Sequence, residues 1–242
     1  MNKVAIITGG SSGIGLCTAA ALREAGCRVY ELSRRDSDVP GITHLRCDIT
    51  DEAQVAAAVE RVMAECGRID ILINNAGFGI SGAVEFTETA DAQRLFDVNF
   101  FGMVRMNRAV LPLMRQQGAG RIVNLSSVAA PVPIPFQTYY SAGKAAVMPG
   151  DIKTGFTAAR QKSAVGDGIY NGRISRSVAG MEKDEQGGME PEVAGRFIAK
   201  VALKSCRKPL YTIGFGYRCA VFLTKILPAR WLNALIGILY AR

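Results

Sequence analysis

Histidine and tryptophan occur once each in this chain of 242 residues. With His44 alone, and no C-x-x-C pair among the six cysteines (17, 27, 47, 66, 206, 219), the chain lacks the spacing of a Cys/His zinc site. No metal is expected, and the cysteines read as reduced, buried thiols of a cytoplasmic protein. His44 is assigned no role. Long apolar runs are missing too. The longest, Trp231 to Ala241, has eleven residues, short of the roughly 20 that a spanning helix needs. Lys3 leads directly into Val4–Thr8, which reads as a strand and not as the apolar stretch of a signal peptide. Internal repeats and low-complexity linkers are also lacking, so one domain over 1–242 is expected. Acidic residues are absent from 193–242, which holds nine Lys/Arg, whereas 1–192 holds 20 basic and 21 acidic side chains. The net charge of +8 is therefore a property of the C-terminal fifth, an asymmetry that points to an anionic partner. That stretch has no base-reading motif, so nucleic acid is not expected, and a weak peripheral membrane contact is the remaining reading.

What is present is an alternation of strands and helices, which argues for a doubly wound α/β fold with a parallel sheet covered on both faces. Val4–Thr8 reads as a strand, Gly13–Ala25 as a helix with Gly26 past its end, Arg28–Ser33 and Thr43–Arg46 as strands, and Asp51–Cys66 as a helix ended by Gly67. Ile69–Ile73 is a fourth strand. Ala90–Gln117 reads as helical with a break near Asn99, and Arg121–Leu125 as a fifth strand. The rhythm then fails. Thr138–Met148 starts a helix that Pro149-Gly150 cuts off, and no strand is expected before Leu210–Ile213. Gly166–Gly188, with six glycines and frequent charge, reads as the loosest stretch. Residues 155–190 are expected to form a lid on the substrate side. The apolar, basic segment 217–242 is broken at Pro228, with Trp231, Leu232, Leu235, Ile236 and Leu239 as a helical stripe. Packing over the substrate site or a second subunit is favoured there over an interfacial membrane helix.

Two motifs carry chemistry. Thr8-Gly9-Gly10-Ser11-Ser12-Gly13-Ile14-Gly15 follows a strand and opens a helix, the setting in which glycines let backbone approach a pyrophosphate at a helix N-terminus. The second strand ends in Ser33-Arg34-Arg35, where an NAD site would normally place an acid for the ribose 2′-hydroxyl. A hydroxyl and a guanidinium suit a 2′-phosphate, so NADP is expected over NAD. Glu31 is the residue that keeps NAD open, although the pleat turns it from the strand tip. Further along, Tyr140 and Lys144 are four residues apart on a predicted helix, and Ser127 ends the strand-like Ile122–Ser127 segment thirteen residues before the tyrosine. An ammonium beside a phenol favours the phenolate.

Together these motifs resemble the short-chain dehydrogenase/reductase family over 1–156. The resemblance implies that Thr8, Gly9, Ser11, Ser12, Gly13, Ile14 and Gly15 hold the pyrophosphate, that Asp48-Ile49-Thr50 lines the adenine, and that the Asn74-Asn75-Ala76-Gly77 run supports the sheet and the cofactor ribose. It maps the catalytic set onto Asn99, Ser127, Tyr140 and Lys144, and the nicotinamide loop onto Pro149, Gly150, Ile152 and Thr154. It implies an oxidoreductase that interconverts a carbonyl and a secondary alcohol. Tyr140 would exchange the proton, Ser127 would bind the oxygen, Lys144 would lower the tyrosine pKa and bind ribose, and Asn99 would anchor a relay water. Val132–Phe136, between Ser127 and Tyr140, reads either as the wall of an apolar substrate pocket or as a loop packed on its own domain.

One interval departs from the family. Relatives continue the tyrosine helix and return by a buried strand before the P-G loop, but only five residues separate Lys144 from Pro149. Five residues cannot descend a helix and climb a strand. Roughly 25–30 residues of family pattern are absent. The sheet is thus expected to be one strand short, with a weakened homodimer surface. The alternative function is a nucleotide-binding relative whose catalysis is impaired.

Overall fold

The computed structural model describes residues 2–132, 134–144, 160–204 and 211–240. Its described chain divides into two compact units: residues 1–77, 97–125 and 191–208 form the first, and residues 78–96, 126–190 and 209–242 the second.

In the first unit, strands β1 (Val4–Thr8), β2 (Arg28–Ser33), β3 (Ile42–Arg46), β4 (Ile71–Asn74) and, later in the chain, Arg121–Asn124 form one sheet of five parallel strands. The order is β3-β2-β1-β4 with Arg121–Asn124 outermost beside β4, so the chain moves outward in both directions from β1. Every residue of β1 is buried, as expected of a central strand with helices on both faces. Val4 and Ile6 point into a core with Tyr30, Leu32 and Leu72, closed by helix α1's neighbour in sequence order, α2 (Glu52–Cys66), through Val55, Val59 and Val62. Helix α1 itself is Gly13–Glu24. α2 starts where Asp51 accepts from the amides of Ala53 (2.9 Å) and Gln54 (3.2 Å), and stops at Gly67 with φ 67°. A buried Asn74 knits this part together. Its amide nitrogen donates to Asn124 (2.7 Å) and Asn107 (2.9 Å).

The break expected near Asn99 is a π-helical turn, Asp97–Gly102, between α3 (Thr89–Phe96) and α4 (Met103–Gln116). Such turns insert one residue into a helix and are frequent at functional sites. Here the turn buries Asn99. Gly102 lies so close to Ile49 that an added Cβ would come within 2.5 Å of its side chain.

The second unit holds a two-stranded parallel sheet of β5 (Ile80–Ser81) and Gln161–Lys162. With Arg121–Asn124 as β6, Gln161–Lys162 is β7. Helix α5 is Thr138–Gly143, shorter than the expected Thr138–Met148. Lys144 has already left the helix with φ −117° and ψ 100°, after a glycine of low helix propensity. Residues 145–148 lie outside the described residues. The sheet gains no strand beyond β6 among the described residues, and Thr212 in the expected Leu210–Ile213 strand makes only an isolated bridge.

Residues 166–188 correct the reading of a loose stretch. Arg173–Gln186 is a helix, α6, with Ile174, Ser177, Val178 and Met181 buried. Its stripe is narrow and interrupted by a serine, which masks the 3.6-residue period. Helix α7 (Pro191–Leu203), in the first unit, opens with Pro191, suited to a first turn. It packs so closely on α1 that a Cβ at Gly195 would meet the Cys17 carbonyl carbon at 2.5 Å. The C-terminal segment forms α8 (Phe215–Ile226) and α9 (Ala229–Tyr240), parted at Pro228 as expected. The expected α9 stripe is split: Ile236 is buried and Leu232 half-buried, while Trp231, Leu235 and Leu239 are exposed.

The close of β1 on β4 depends on Thr8. Its buried hydroxyl oxygen accepts from the amides of Asn75 and Ala76, both at 3.1 Å. Thr8→Val keeps the shape and removes that acceptor, so it is expected to cost about 1–3 kcal/mol in urea unfolding. Unchanged stability would show that the hydroxyl ties nothing.

Candidate cofactor loop and active site

The glycine loop spans the turn from β1 into α1. Gly9 and Gly13 have φ of 65° and 52°, a region that side chains disfavour. Gly15 lies against the start of its own loop: a Cβ there would fall 2.1 Å from the Gly9 carbonyl oxygen and 2.5 Å from the Asn75 amide nitrogen. Asn75 in turn donates to the carbonyls of Thr8 (2.9 Å) and Gly9 (3.0 Å). Ser12 caps α1 with extended backbone and makes no side-chain cap hydrogen bond, and the first turn contains no acid. The N-terminal amides of α1 thus meet no competing carboxylate at a helix end that favours anions. This arrangement fits the pyrophosphate of a dinucleotide.

At the tip of β2, Arg34 is 75% exposed on its side chain and 4.0 Å from Asp48. Ser33 Oγ lies 2.9 Å from the Arg35 carbonyl and 3.2 Å from Glu31. Asp48 accepts from the Thr50 amide (3.0 Å) and hydroxyl (2.8 Å), which fixes the Asp48-Ile49-Thr50 turn beside Gly102. Glu31 is not directed at the tip. It is buried under Gly10, where an added Cβ would sit 2.7 Å from its own Cβ, and His44 Nδ1 hydrogen-bonds its carboxylate. His44, given no role from sequence, is the partner of a buried carboxylate. The signal was available in the register, since β2 and β3 pair Glu31 with His44 directly.

In the second unit, Ser127 and Tyr140 line one small cavity of about 30 Å³. Ser127 follows β6, and its Oγ accepts from the Ala129 amide at 3.2 Å, which turns the chain. Tyr140 is buried on α5 among Ile80, Leu95 and Ala129. Ile134 also lines the cavity, while Phe136 packs edge-on against Tyr170 at 5.7 Å, so the 132–136 loop contributes both to the cavity wall and to packing within its own unit. The far wall is α6 and α9, through Met181, Asp184 and Tyr240. Tyr240 donates to Asp184 at 2.6 Å. This wall was not foreseen residue by residue. Lys144 is buried next to the end of α5, and burial pushes its ammonium down to about 8. Lys144 directly follows the last helical residue, Gly143, so the two residues do not both lie within the helix as expected. Asn99 belongs to the first unit, in the π-helical turn. Pro149, Gly150, Ile152 and Thr154 lie outside the described residues.

Sequence comparison decides the family. The sequence model of the short chain dehydrogenase family matches residues 3–163. The chain belongs to the short-chain dehydrogenases. A 3-ketodihydrosphingosine reductase of Bacteroides thetaiotaomicron is 36% identical, covering 99% of this chain and 98% of that protein. A probable short-chain type dehydrogenase/reductase of Helicobacter pylori, VdlC, is 28% identical over 96% of each. Among solved structures, a short-chain dehydrogenase from Streptomyces avermitilis superposes with a TM-score of 0.83 at 26% identity, covering 98% of this chain and 96% of that one. This dehydrogenase is therefore an NAD(P)-binding oxidoreductase acting on CH–OH or C=O groups. Its alignment with the Bacteroides protein runs over 266 positions, more than the 242 residues of the chain, so that relative has residues without a counterpart here.

The buried lysine has a thermodynamic consequence. Its folded pKa lies below the unfolded value of 10.5. Below about 8 both states are protonated and the burial cost is fully expressed. Between about 8 and 10.5 the folded state binds fewer protons, so stability rises with pH. Lys144→Met is expected to stabilise the cofactor-free protein by about 3–4 kcal/mol at pH 7, the drop from 10.5 to about 8 converted at about 1.4 kcal/mol per pKa unit. Urea unfolding at pH 7 and pH 10 checks this, with the gain shrinking at the higher pH. A destabilised variant would show that the polar partners of the lysine outweigh its burial.

Proposed function

We propose that this dehydrogenase is an NADP-dependent reductase that acts on a ketone carried by a molecule with a long apolar chain, in the cytoplasm. The observation that carries the reading is the shared cavity of Ser127 and Tyr140, whose wall thus holds both a hydroxyl and a phenol. The 36% identity to a 3-ketodihydrosphingosine reductase over nearly the whole of both chains supports the apolar substrate, as do Ile134, Met181 and Tyr240 in the wall. In this reading α6 serves as the substrate-side cover.

The bound cofactor supplies the hydride, or accepts it in the reverse direction. The protein supplies the rest. Gly9, Ser11, Ser12, Gly13, Ile14 and Gly15 hold the pyrophosphate on the amides of α1, and Asn75, Ala76 and Gly77 support the ribose. Ser33 and Arg34 bind the 2′-phosphate, for which a guanidinium fork is suited. Asp48 and Ile49 line the adenine. Ser127 donates a hydrogen bond to the carbonyl oxygen, and Tyr140 transfers its proton to that oxygen. Lys144 keeps a positive charge in a buried setting, which favours the phenolate after transfer. Asn99, buried in the π-helical turn, anchors the water that returns the proton. Pro149, Gly150, Ile152 and Thr154 complete the nicotinamide side.

A second reading rests on the five-residue step from Lys144 to Pro149, where we place the residues that the Bacteroides relative has and this chain lacks. It holds that the chain binds nucleotide without turning over substrate. One experiment separates the two. Tyr140→Phe should retain NADPH binding by calorimetry and lose at least about 100-fold in turnover, the usual contribution of a general acid. A wild-type chain that binds NADPH but reduces no long-chain 3-ketone favours the second reading. In the same titrations, Arg34→Ala should remove most of the preference for NADPH over NADH. Equal loss for both cofactors would make Arg34 structural.

A further inference from the structure

Helix α9 is apolar on more than one face, and only one face is used. Leu232, Ile236 and Tyr240, spaced at i, i+4 and i+8, are the inward residues: Ile236 is buried, and Tyr240 packs on Ile174, Val178 and Met181. Trp231, Leu235, Ile238 and Leu239 form a second stripe that is open, with Trp231 70% and Leu239 65% exposed. Helix α8 repeats the pattern. Val221 is its buried residue, while Phe215 (82% exposed), Phe222 and Ile226 share the open face. A soluble helix normally has polar groups opposite its packed stripe, and scattered single apolar residues would need no explanation. Seven large apolar side chains on two consecutive helices are not scattered.

The charges that α8 and α9 themselves carry are of one sign, and the acid next to them is Asp184 of α6, bonded to Tyr240. Arg218, Lys225 and Arg230 are exposed on these two helices, and the chain has no acid anywhere from 193 to 242. Arg218 and Lys225 are seven residues apart, so they flank the Phe215–Phe222 stripe along one side. Helices that carry exposed aromatic and aliphatic side chains with basic residues and no acid of their own have the composition of helices that lie in the headgroup region of an anionic bilayer. Neither helix, nor any other among the described residues, is long and apolar enough to cross a membrane. A surface contact between copies of the chain would bring like charges together, which costs energy.

We infer that the open face of α8 and α9 docks this dehydrogenase reversibly on an anionic lipid surface, with Trp231, Phe215 and Phe222 entering the interface and Arg218, Lys225 and Arg230 meeting phosphate headgroups. The inference stands apart from the proposed reaction, because it uses no residue assigned to the cofactor or the substrate.

Trp231 is the only tryptophan of the chain, so the native protein reports on itself. Full-length chain is mixed with vesicles of phosphatidylcholine alone or with one third phosphatidylglycerol, and both tryptophan emission and co-sedimentation are followed. The expected result is a blue shift, quenching by brominated acyl chains and sedimentation with the anionic vesicles only, reversed by raising salt. Lys225→Glu with Arg230→Glu, surface changes checked for folding by circular dichroism, should weaken partitioning about ten-fold or more, given about 1 kcal/mol per basic residue near such a surface. No partition to anionic vesicles overturns the inference. So does equal binding to neutral vesicles. A stable dimer by light scattering, with Trp231 emission already blue-shifted before lipid is added, would assign the face to a second copy and also overturn it.

Discussion

A single threonine hydroxyl joins the two strands on which the cofactor loop depends. Thr8 ends β1 and receives two amides from the start of the segment after β4, while Asn75 returns two hydrogen bonds to the carbonyls of Thr8 and Gly9. These four contacts leave the loop between β1 and α1 little freedom. Gly15 must then pass within contact of the Gly9 carbonyl, a space that no side chain could share. The amides at the start of α1 are thus held in place before any ligand arrives. Preorganised donors of this kind lose little entropy on binding. The loop, the Asn75–Gly77 run and the sheet are one physical object, and binding of a pyrophosphate should be felt at both strand ends.

Where function was legible in the sequence, the signals were local. The glycine loop is a strand-turn-helix with its spacing inside eight residues, and the parallel β-α alternation follows from buried runs such as Val4–Thr8. The break expected near Asn99 is a π-helical turn. Less visible were features that depend on partners far along the chain. His44 had no motif, yet the register of β2 and β3 places it on Glu31. That pairing gives one oxygen of the carboxyl group beneath the glycine loop a hydrogen-bond partner, as buried polar groups generally have. Helix α6 was hidden because its inward stripe includes Ser177 and is flanked by charge. The expectation that Tyr140 and Lys144 share one helix face failed for a local reason, since α5 ends at Gly143.

The C-terminal helices show how one composition can serve two purposes. An apolar stripe on α9 was read from spacing alone, and packing was preferred over a membrane role. In the structure the stripe divides. Ile236 and Tyr240 pack inward, and Tyr240 reaches the cavity of Ser127 and Tyr140 through its bond to Asp184. The remaining apolar residues stay in solvent with basic neighbours. The same helix therefore borders the cavity of Ser127 and Tyr140 and leaves its outer apolar face in solvent.

The central claim is that the Thr8–Asn75 tie and the glycine loop form a dinucleotide site that is complete despite the short step after Lys144. Hydrogen exchange on the unmodified chain, with and without NADPH, tests it most directly, because exchange reads backbone opening peptide by peptide. Added NADPH should slow exchange in peptides covering 8–16 and 75–77 together, with a smaller change at β3 and α2. Unchanged exchange in both peptides at saturating NADPH, or protection confined to one of them, would contradict the account.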